Sequence, residues 1–292
     1  MLVHPDSAAP AGAQTSAPHP DTHDVHESLA GGFTSTRFVL VEPSHPGNVG
    51  AAARALKTMG FSRLVLVAPR VPQVHCDPEA VAMASGADDV LAAAHIVPTL
   101  ADALAGVQWS LALTARTREY GPPPAAPRHA VQDACRQVAH GGDIALVFGN
   151  ERTGLSNEDV ERCTALAHIP ANPAYSSLNL AQAVQVLAYE LRLAYLDAHA
   201  PGAASHPAVA AGAAAQPGVA GPLAASDDIE RMYVHLENAL IALDFLDPAN
   251  PKKLMSRLRR LFARSGLERE EVNIVRGIAK HILMLKGKGD GR

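Results

Sequence analysis

The chain has 292 residues, 48% of them hydrophobic and 18% charged, with a formal net charge of −4. That length holds one sizeable core plus a second module, and no run nears the roughly 18 uninterrupted apolar residues of a membrane span. The net charge conceals a division: from Lys252 to Arg292 twelve Lys or Arg face four Asp or Glu, a local +8, against thirteen basic and twenty-five acidic residues before it. A basic tail on an acidic body points to a polyanionic partner, with a solvated helix face as the ordinary alternative.

Residues 1–35 are rich in Ala, Pro, Ser, His and Asp, lack a hydrophobic period, and read as a disordered extension. The first basic residue is Arg37, and Asp6, Asp21, Asp24 and Glu27 precede it, which argues against a signal or transit peptide and for a cytoplasmic protein. Cys76, Cys135 and Cys163 lie far apart without a CxxC spacing, so neither a disulfide framework nor a metal site is expected.

From residue 36 to 198, strands are predicted at Arg37–Glu42, Arg63–Ala68, Trp109–Thr114, Asp143–Phe148 and Ala165–Ile169, alternating with helical patterns. Their apolar runs are continuous rather than alternating, as in parallel strands covered on both faces, which gives an α/β domain. The first strand leads through Pro43–Gly50 into a helix over 51–59, with no GxGxxG turn of a dinucleotide enzyme. On a helical wheel Val49, Ala52, Ala53, Leu56 and Met59 form the apolar stripe, and Arg54 and Lys57 fall beside it. Gly50, one turn before Arg54, leaves room for an anion to approach the helix N-terminus; an ordinary surface arginine is the other reading.

The fourth strand runs into Gly149-Asn150-Glu151-Arg152-Thr153-Gly154-Leu155, a polar loop at the edge where parallel sheets bind ligands. Two roles fit Glu151 equally: accepting hydrogen bonds from a ligand, or holding a loop by its backbone amides. Ile169-Pro170 and Ser176-Ser177-Leu178-Asn179-Leu180 then lead into a helix with Leu180, Val184, Leu187 and Leu191 on one stripe, for which Ser177 or Asn179 is a candidate N-cap. Residues 199–225 are an Ala/Pro/Gly-rich linker. Residues 226–292 form a small helical domain, with helices over 227–246, 251–264 and 268–286, Ser226 as N-cap and Gly266 as a stop.

The strings Asn48-Val49-Gly50-Ala51-Ala52-Ala53-Arg54, Leu146 to Leu155, and Ile169-Pro170 with Ser176 to Leu180 resemble, in order and spacing, the three motifs of the SpoU-type SPOUT RNA 2'-O-methyltransferases. The longer stretches around them, and the tail with its LRRLFAR string, look like the TrmJ group of tRNA (cytidine/uridine-2'-O-)-methyltransferases. Asn150 stands where that group can carry Arg. The resemblance is dense from Phe38 to Leu196 and looser in the tail.

It implies an α/β SPOUT-type parallel sheet with a deep trefoil knot, which no periodicity reveals, and a homodimer with the active site at the subunit interface. It further implies S-adenosyl-L-methionine as cofactor and tRNA as partner, methylated at cytidine or uridine of nucleotide 32 in the anticodon loop, the alternatives being another tRNA or rRNA nucleotide or a non-catalytic RNA-binding module of the same fold. Carried onto matching positions, Leu113, Thr114, Ala115, Gly149, Ile169, Ser176, Ser177 and Leu178 would hold the cofactor. Arg54, Glu151, Ser177 and Asn179 would be catalytic. RNA contacts are expected at Asn48, Arg54, Lys57, Arg257, Arg259, Arg260 and Arg264, the tail arginines being solvated. Because a guanidinium is a poor proton acceptor, Arg54 is read as a phosphate clamp and alkoxide stabiliser rather than a base.

Overall fold

A computed structural model of the chain describes residues 30–115, 124–199, 223–263 and 266–289. Six strands form one sheet: β1 (Thr36–Val41), β2 (Arg63–Val67), β3 (His95–Val97), β4 (Trp109–Leu113), β5 (Ile144–Phe148) and β6 (Ala165–Ala167). Their order is β3-β2-β1-β5-β4-β6, and every pairing is parallel. Five of the strands fall within two residues of the sequence reading. The sixth, β3, is an edge strand of three residues, none of them buried, so it leaves no apolar run to detect.

Both faces of the sheet are covered, which is why its strands read as continuous apolar runs. Phe38, Leu40, Leu64, Leu66, Leu146 and Phe148 enter one core, and the alternate residues Val39, Val41, Val65, Val67, Ala145 and Val147 enter the other. Helices α2 (Pro46–Thr58), α3 (Pro78–Ala84), α4 (Asp88–Ala92), α6 (Pro127–Ala139) and α8 (Leu180–His199) cover the first face. The shorter α5 (Leu100–Ala103) and α7 (Asn157–Arg162) cover the second.

Several features depart from or add to the sequence reading. Residues 30–34, assigned to a disordered extension, form helix α1 (Ala30–Thr34); the remainder of that extension lies outside the described residues. Phe33 on α1 is buried, its ring 4.9 Å from Phe61 and 5.3 Å from Tyr195. Thr36 Oγ1 donates to Gly32 O at 2.7 Å and accepts from the Tyr195 hydroxyl at 2.8 Å, so α1, β1 and α8 share one buried polar knot. Burial raises the Tyr195 phenol well above its ordinary pKa.

The second concerns α8, whose apolar stripe is packed within the chain. Leu180, Val184, Leu187 and Leu191 are all buried within the chain, against α2 and α6. The third concerns Gly50, which faces α3 rather than a ligand: a Cβ there would lie 1.9 Å from the Ala80 carbonyl oxygen. The glycine exists to let two helices touch backbone to backbone.

Of the stretch expected as a linker only 223–225 are described, and there the expectation fails, since Leu223 pairs with Glu268 and Ala224 is buried; α9 (Ser226–Ala242), α10 (Leu254–Ala263) and α11 (Arg269–Gly289) follow. Ala224, Met232, Tyr233, Leu267 and Val272 form their core. The α9 cap position is Ala225, not Ser226, whose N–H instead donates to Val107 O of the α/β body at 2.8 Å. Helix α9 stops four residues short of the predicted Leu246 because Asp244 turns left-handed at φ +58°. Gly266 lies between α10 and α11 at φ +63°, the stop expected of it.

Glu230 of α9 is gripped by Arg259 of α10 at 2.5 and 2.8 Å and by Arg162 of α7 at 3.4 Å, and Ser256 donates to Glu161 at 3.1 Å. The Arg259 guanidinium also lies 4.3 Å above the Tyr233 ring. The expectation that the tail arginines are all solvated therefore fails at Arg259, and Arg260 is half-buried too. Arg257 is exposed, and Arg264 lies outside the described residues.

Two outcomes follow for stability. Gly50→Ala should lower stability despite the roughly 1 kcal/mol gain in helix propensity, since overpacking against backbone costs about 1–3 kcal/mol; urea unfolding reads the sign. Arg259→Ala should cost about 1–3 kcal/mol by stripping a half-buried carboxylate of its donors, whereas Arg257→Ala should stay within about 0.5 kcal/mol of wild type.

Candidate active site

The C-terminal ends of β4, β5 and β6 open onto one cleft. It is lined by Leu113, Thr114 and Ala115 after β4, by Phe148 to Leu155 after β5, and by Ile169, Ser176, Ser177 and Leu178 after β6, with Leu180 and Ala183 of α8 as floor. All eight residues proposed for the cofactor thus line a single concavity. Sequence reading did not assign Phe148, Leu180 or Ala183 to the cofactor, since they look like plain core positions until the loops fold over them.

The β5 loop is rigid because it is self-bonded. A Cβ on Gly149 would fall 2.1 Å from backbone atoms of Gly154 and Leu155, so the loop returns across its own first residue. Asn150 Oδ1 accepts from Arg152 N at 3.1 Å, Thr153 N at 2.8 Å and Thr153 Oγ1 at 3.0 Å. Gly154 N closes the turn onto Asn150 O at 3.0 Å, with Gly154 at φ +68°. Asn150 is thereby engaged inside the loop.

Glu151 meets protein donors from the turn before α2. Its Oε2 accepts from Ser44 N at 3.0 Å and Ser44 Oγ at 2.7 Å, and its Oε1 accepts from His45 N at 3.2 Å and Asn48 Nδ2 at 2.9 Å. It holds the turn before α2. A carboxylate accepts only, so Asn48 must present its amide nitrogen there and its oxygen elsewhere. That oxygen accepts from Asn179 Nδ2 at 2.8 Å, leaving Asn179 Oδ1 to accept from Ala181 N and Gln182 N. Asn179, not Ser177, is the N-cap of α8. Ser44 was not singled out in the sequence, and its position three residues past β1 was the clue available.

The sequence profile of the SpoU rRNA Methylase family matches residues 35–189, and that of the tRNA methyltransferase TrmJ C-terminal domain matches residues 227–291. The chain belongs to the SpoU methylase family. Among similar members is the tRNA (cytidine/uridine/adenosine-2'-O-)-methyltransferase TrmJ of Pseudomonas aeruginosa, 47% identical over 83% of this chain and 91% of that protein. A Yersinia pestis tRNA (cytidine/uridine-2'-O-)-methyltransferase TrmJ is 45% identical over 84% and 90%. The crystal structure of TrmJ from Z. mobilis ZM4 superposes with a TM-score of 0.69 at 32% identity, covering 85% of this chain and 98% of the other. A probable methyltransferase from Bordetella pertussis is 55% identical, with a TM-score of 0.54 over 56% of this chain and 98% of that one.

In this SpoU-family chain the site residues divide. Glu151 and Ser177 line the cleft, and Asn48 and Asn179 are tied to Glu151 through hydrogen bonds. Arg54 is exposed on α2 and outside the cleft lining, about 9 Å further along the helix axis than Asn48. Lys57 is exposed and donates to Asp89 Oδ1 and to the Gly86 carbonyl, both at 2.9 Å; its hydrogen bond lowers the Asp89 pKa. Among the described residues no group of three or more His, Cys, Asp or Glu is placed to hold a metal.

Burial opposes the charge on Glu151, but the hydrogen bonds from Asn48 and Ser44 outweigh it and hold the pKa below its ordinary value. A carboxyl depressed by folding adds stability above its unfolded pKa and loses it as pH falls through the folded one. Glu151→Gln should therefore be less stable than wild type at pH 7, and the gap should close as pH falls through and below the ordinary Glu range. Parallel urea titrations at several pH values measure this; a gap that persists unchanged in acid would remove the charge from the argument.

Proposed function

We propose that the chain transfers a methyl group to a ribose 2'-hydroxyl of tRNA, at a cytidine or uridine of nucleotide 32 in the anticodon loop. The observation that carries the reading is the convergence of three loops on one cleft, tied by Glu151, Asn48 and Asn179 to the helix that bears Arg54. The TrmJ relatives supply the substrate class: two are named for ribose methylation of tRNA, and they differ in whether adenosine is included.

The cofactor is S-adenosyl-L-methionine, which supplies an electrophilic methyl on sulfur. The cleft fits such a group: Leu113, Ile169 and Leu178 offer apolar walls for a base, and the Ser176 and Ser177 hydroxyls and rigid loop backbone offer polar partners. Ser177 orients the reacting end. Glu151, saturated by four donors, acts as a clamp on the turn before α2 and takes no proton. Arg54 neutralises the RNA phosphate and the charge growing on the attacked ribose oxygen, and the 2'-hydroxyl proton leaves to phosphate or water.

Arg54 stands outside the cleft of its own chain, which supports a homodimer in which it serves the partner's cleft. The knot implied by the family is part of the same reading. Residues 36–198 are the methyltransferase unit and 226–292 the RNA-binding unit, joined by 199–225, and the enzyme works in the cytoplasm.

The test is methyl transfer from labelled cofactor to tRNA transcripts, with the modified nucleotide mapped by mass spectrometry. Arg54→Ala should cut transfer by about 100-fold or more, the scale of losing one preorganised charge, while calorimetric binding of S-adenosylmethionine stays near wild type. Label at another nucleotide would redirect the target, and near-normal turnover in the Ala variant would take Arg54 out of the mechanism.

A further inference from the structure

The loop between α9 and α10 presents an aromatic ring to solvent and holds it there. Phe245 is 68% exposed, while its neighbour Leu246 is 4% exposed. The arrangement is fixed by the backbone: Phe245 N and Leu246 N both donate to Leu240 O, at 3.0 and 3.1 Å, and Asp244 N donates to Ile241 O at 2.9 Å. Asp244, Lys252 and Lys253 all adopt left-handed conformations, at φ +58°, +45° and +59°, where a residue with a side chain is strained. Further bonds close the loop, from Asn250 N to Asp247 O at 3.0 Å and from Leu254 N to Pro251 O at 2.9 Å.

Phe245, Asn250, Lys252 and Arg257 line one open groove. Lys252 and Arg257 are exposed. One carboxylate, Asp247, also lines the groove, its Oδ1 accepting from Ala249 N at 2.9 Å, and Asp244 is paired with Lys286 at 3.0 Å, so the two cations outnumber the one unpaired acid in the lining. The groove therefore combines a flat apolar face with outward cations, on the part of the chain that carries the local +8.

We propose that this groove binds one unpaired nucleobase of the RNA substrate, stacked on Phe245, with the flanking phosphate on Lys252 and Arg257. The site rests on the reading of the chain as a tRNA-modifying enzyme. An apolar protein partner would have no use for the two cations, and a phosphate alone would have no use for the ring. Unpaired nucleotides offer both, and a base in a continuous duplex does not expose its face. Stacking tolerates any base, so the groove adds affinity and orientation while the cleft keeps the choice of nucleotide. Arg259 contributes nothing here, since Glu230 and Tyr233 already occupy it.

The experiment uses the full chain with two probes, a tRNA transcript and a blunt RNA duplex of matched phosphate count. Phe245→Leu keeps an apolar side chain but no ring and should weaken tRNA binding by about 5- to 100-fold, the scale of one lost base stack. Phe245→Trp should bind like wild type, and none of these variants should change duplex binding or the thermal unfolding midpoint. Arg257→Ala should reduce the salt slope of tRNA binding by about one phosphate. Unchanged tRNA affinity in Phe245→Leu overturns the proposal, as does an equal loss on the duplex. A fall in sedimentation mass in that variant also overturns it, by making the ring a contact between copies. Wild-type methyl transfer is run in parallel: if it proceeds while Phe245→Leu binds normally, only the nucleobase site falls, and if wild type neither binds nor methylates tRNA, the tRNA reading falls with it.

Discussion

The carboxylate of Glu151 gathers four hydrogen bonds from a turn more than a hundred residues earlier in the chain, and the site is built around that convergence. Two of the donors are backbone amides at the start of α2, where unsatisfied N–H groups and the helix dipole both favour a negative partner. The anion that the N-terminus of α2 attracts is thus one of the protein's own. Its charge is kept by the donors that surround it, and it ties the β5 loop to the end of β1 across the sheet.

From Glu151 the constraint passes outward through amides whose orientation it dictates. Asn48 can face the carboxylate in only one sense, which fixes Asn179, and Asn179 in turn caps the helix that floors the cleft. One side chain therefore serves helix stability and loop registry together. Gly50 adds a steric constraint on the same helix, since only a residue without Cβ lets α2 meet the Ala80 carbonyl. Arg54 and the cleft are consequently set on elements whose relative positions are fixed by backbone contact rather than by surface charge.

The basic tail shows how charge divides between structure and recognition. Arg259 is committed to Glu230 and the face of Tyr233, and it joins α10 to α9 at the seam with Arg162 of the body. Arg257, two residues earlier, points to solvent. A helix of ten residues carries both kinds because successive side chains rotate by about 100° around its axis, so adjacent arginines meet different surroundings.

Much was determined by the sequence itself. The continuous apolar runs of β1, β2, β4 and β5 dictated a parallel sheet, and the three polar loops marked its ligand-binding edge, because these signals are local in the chain. The family was likewise legible in motif order. Tertiary structure alone decided what each residue faces: that Gly50 meets a helix, that the α8 stripe is buried at home, that Lys57 pairs with Asp89, and that Arg259 is not solvated. The partner in each of those cases lies about 30 residues or more away in sequence. Periodicity reports which face of an element is apolar, and only the packed fold supplies what that face, or the polar residue beside it, touches.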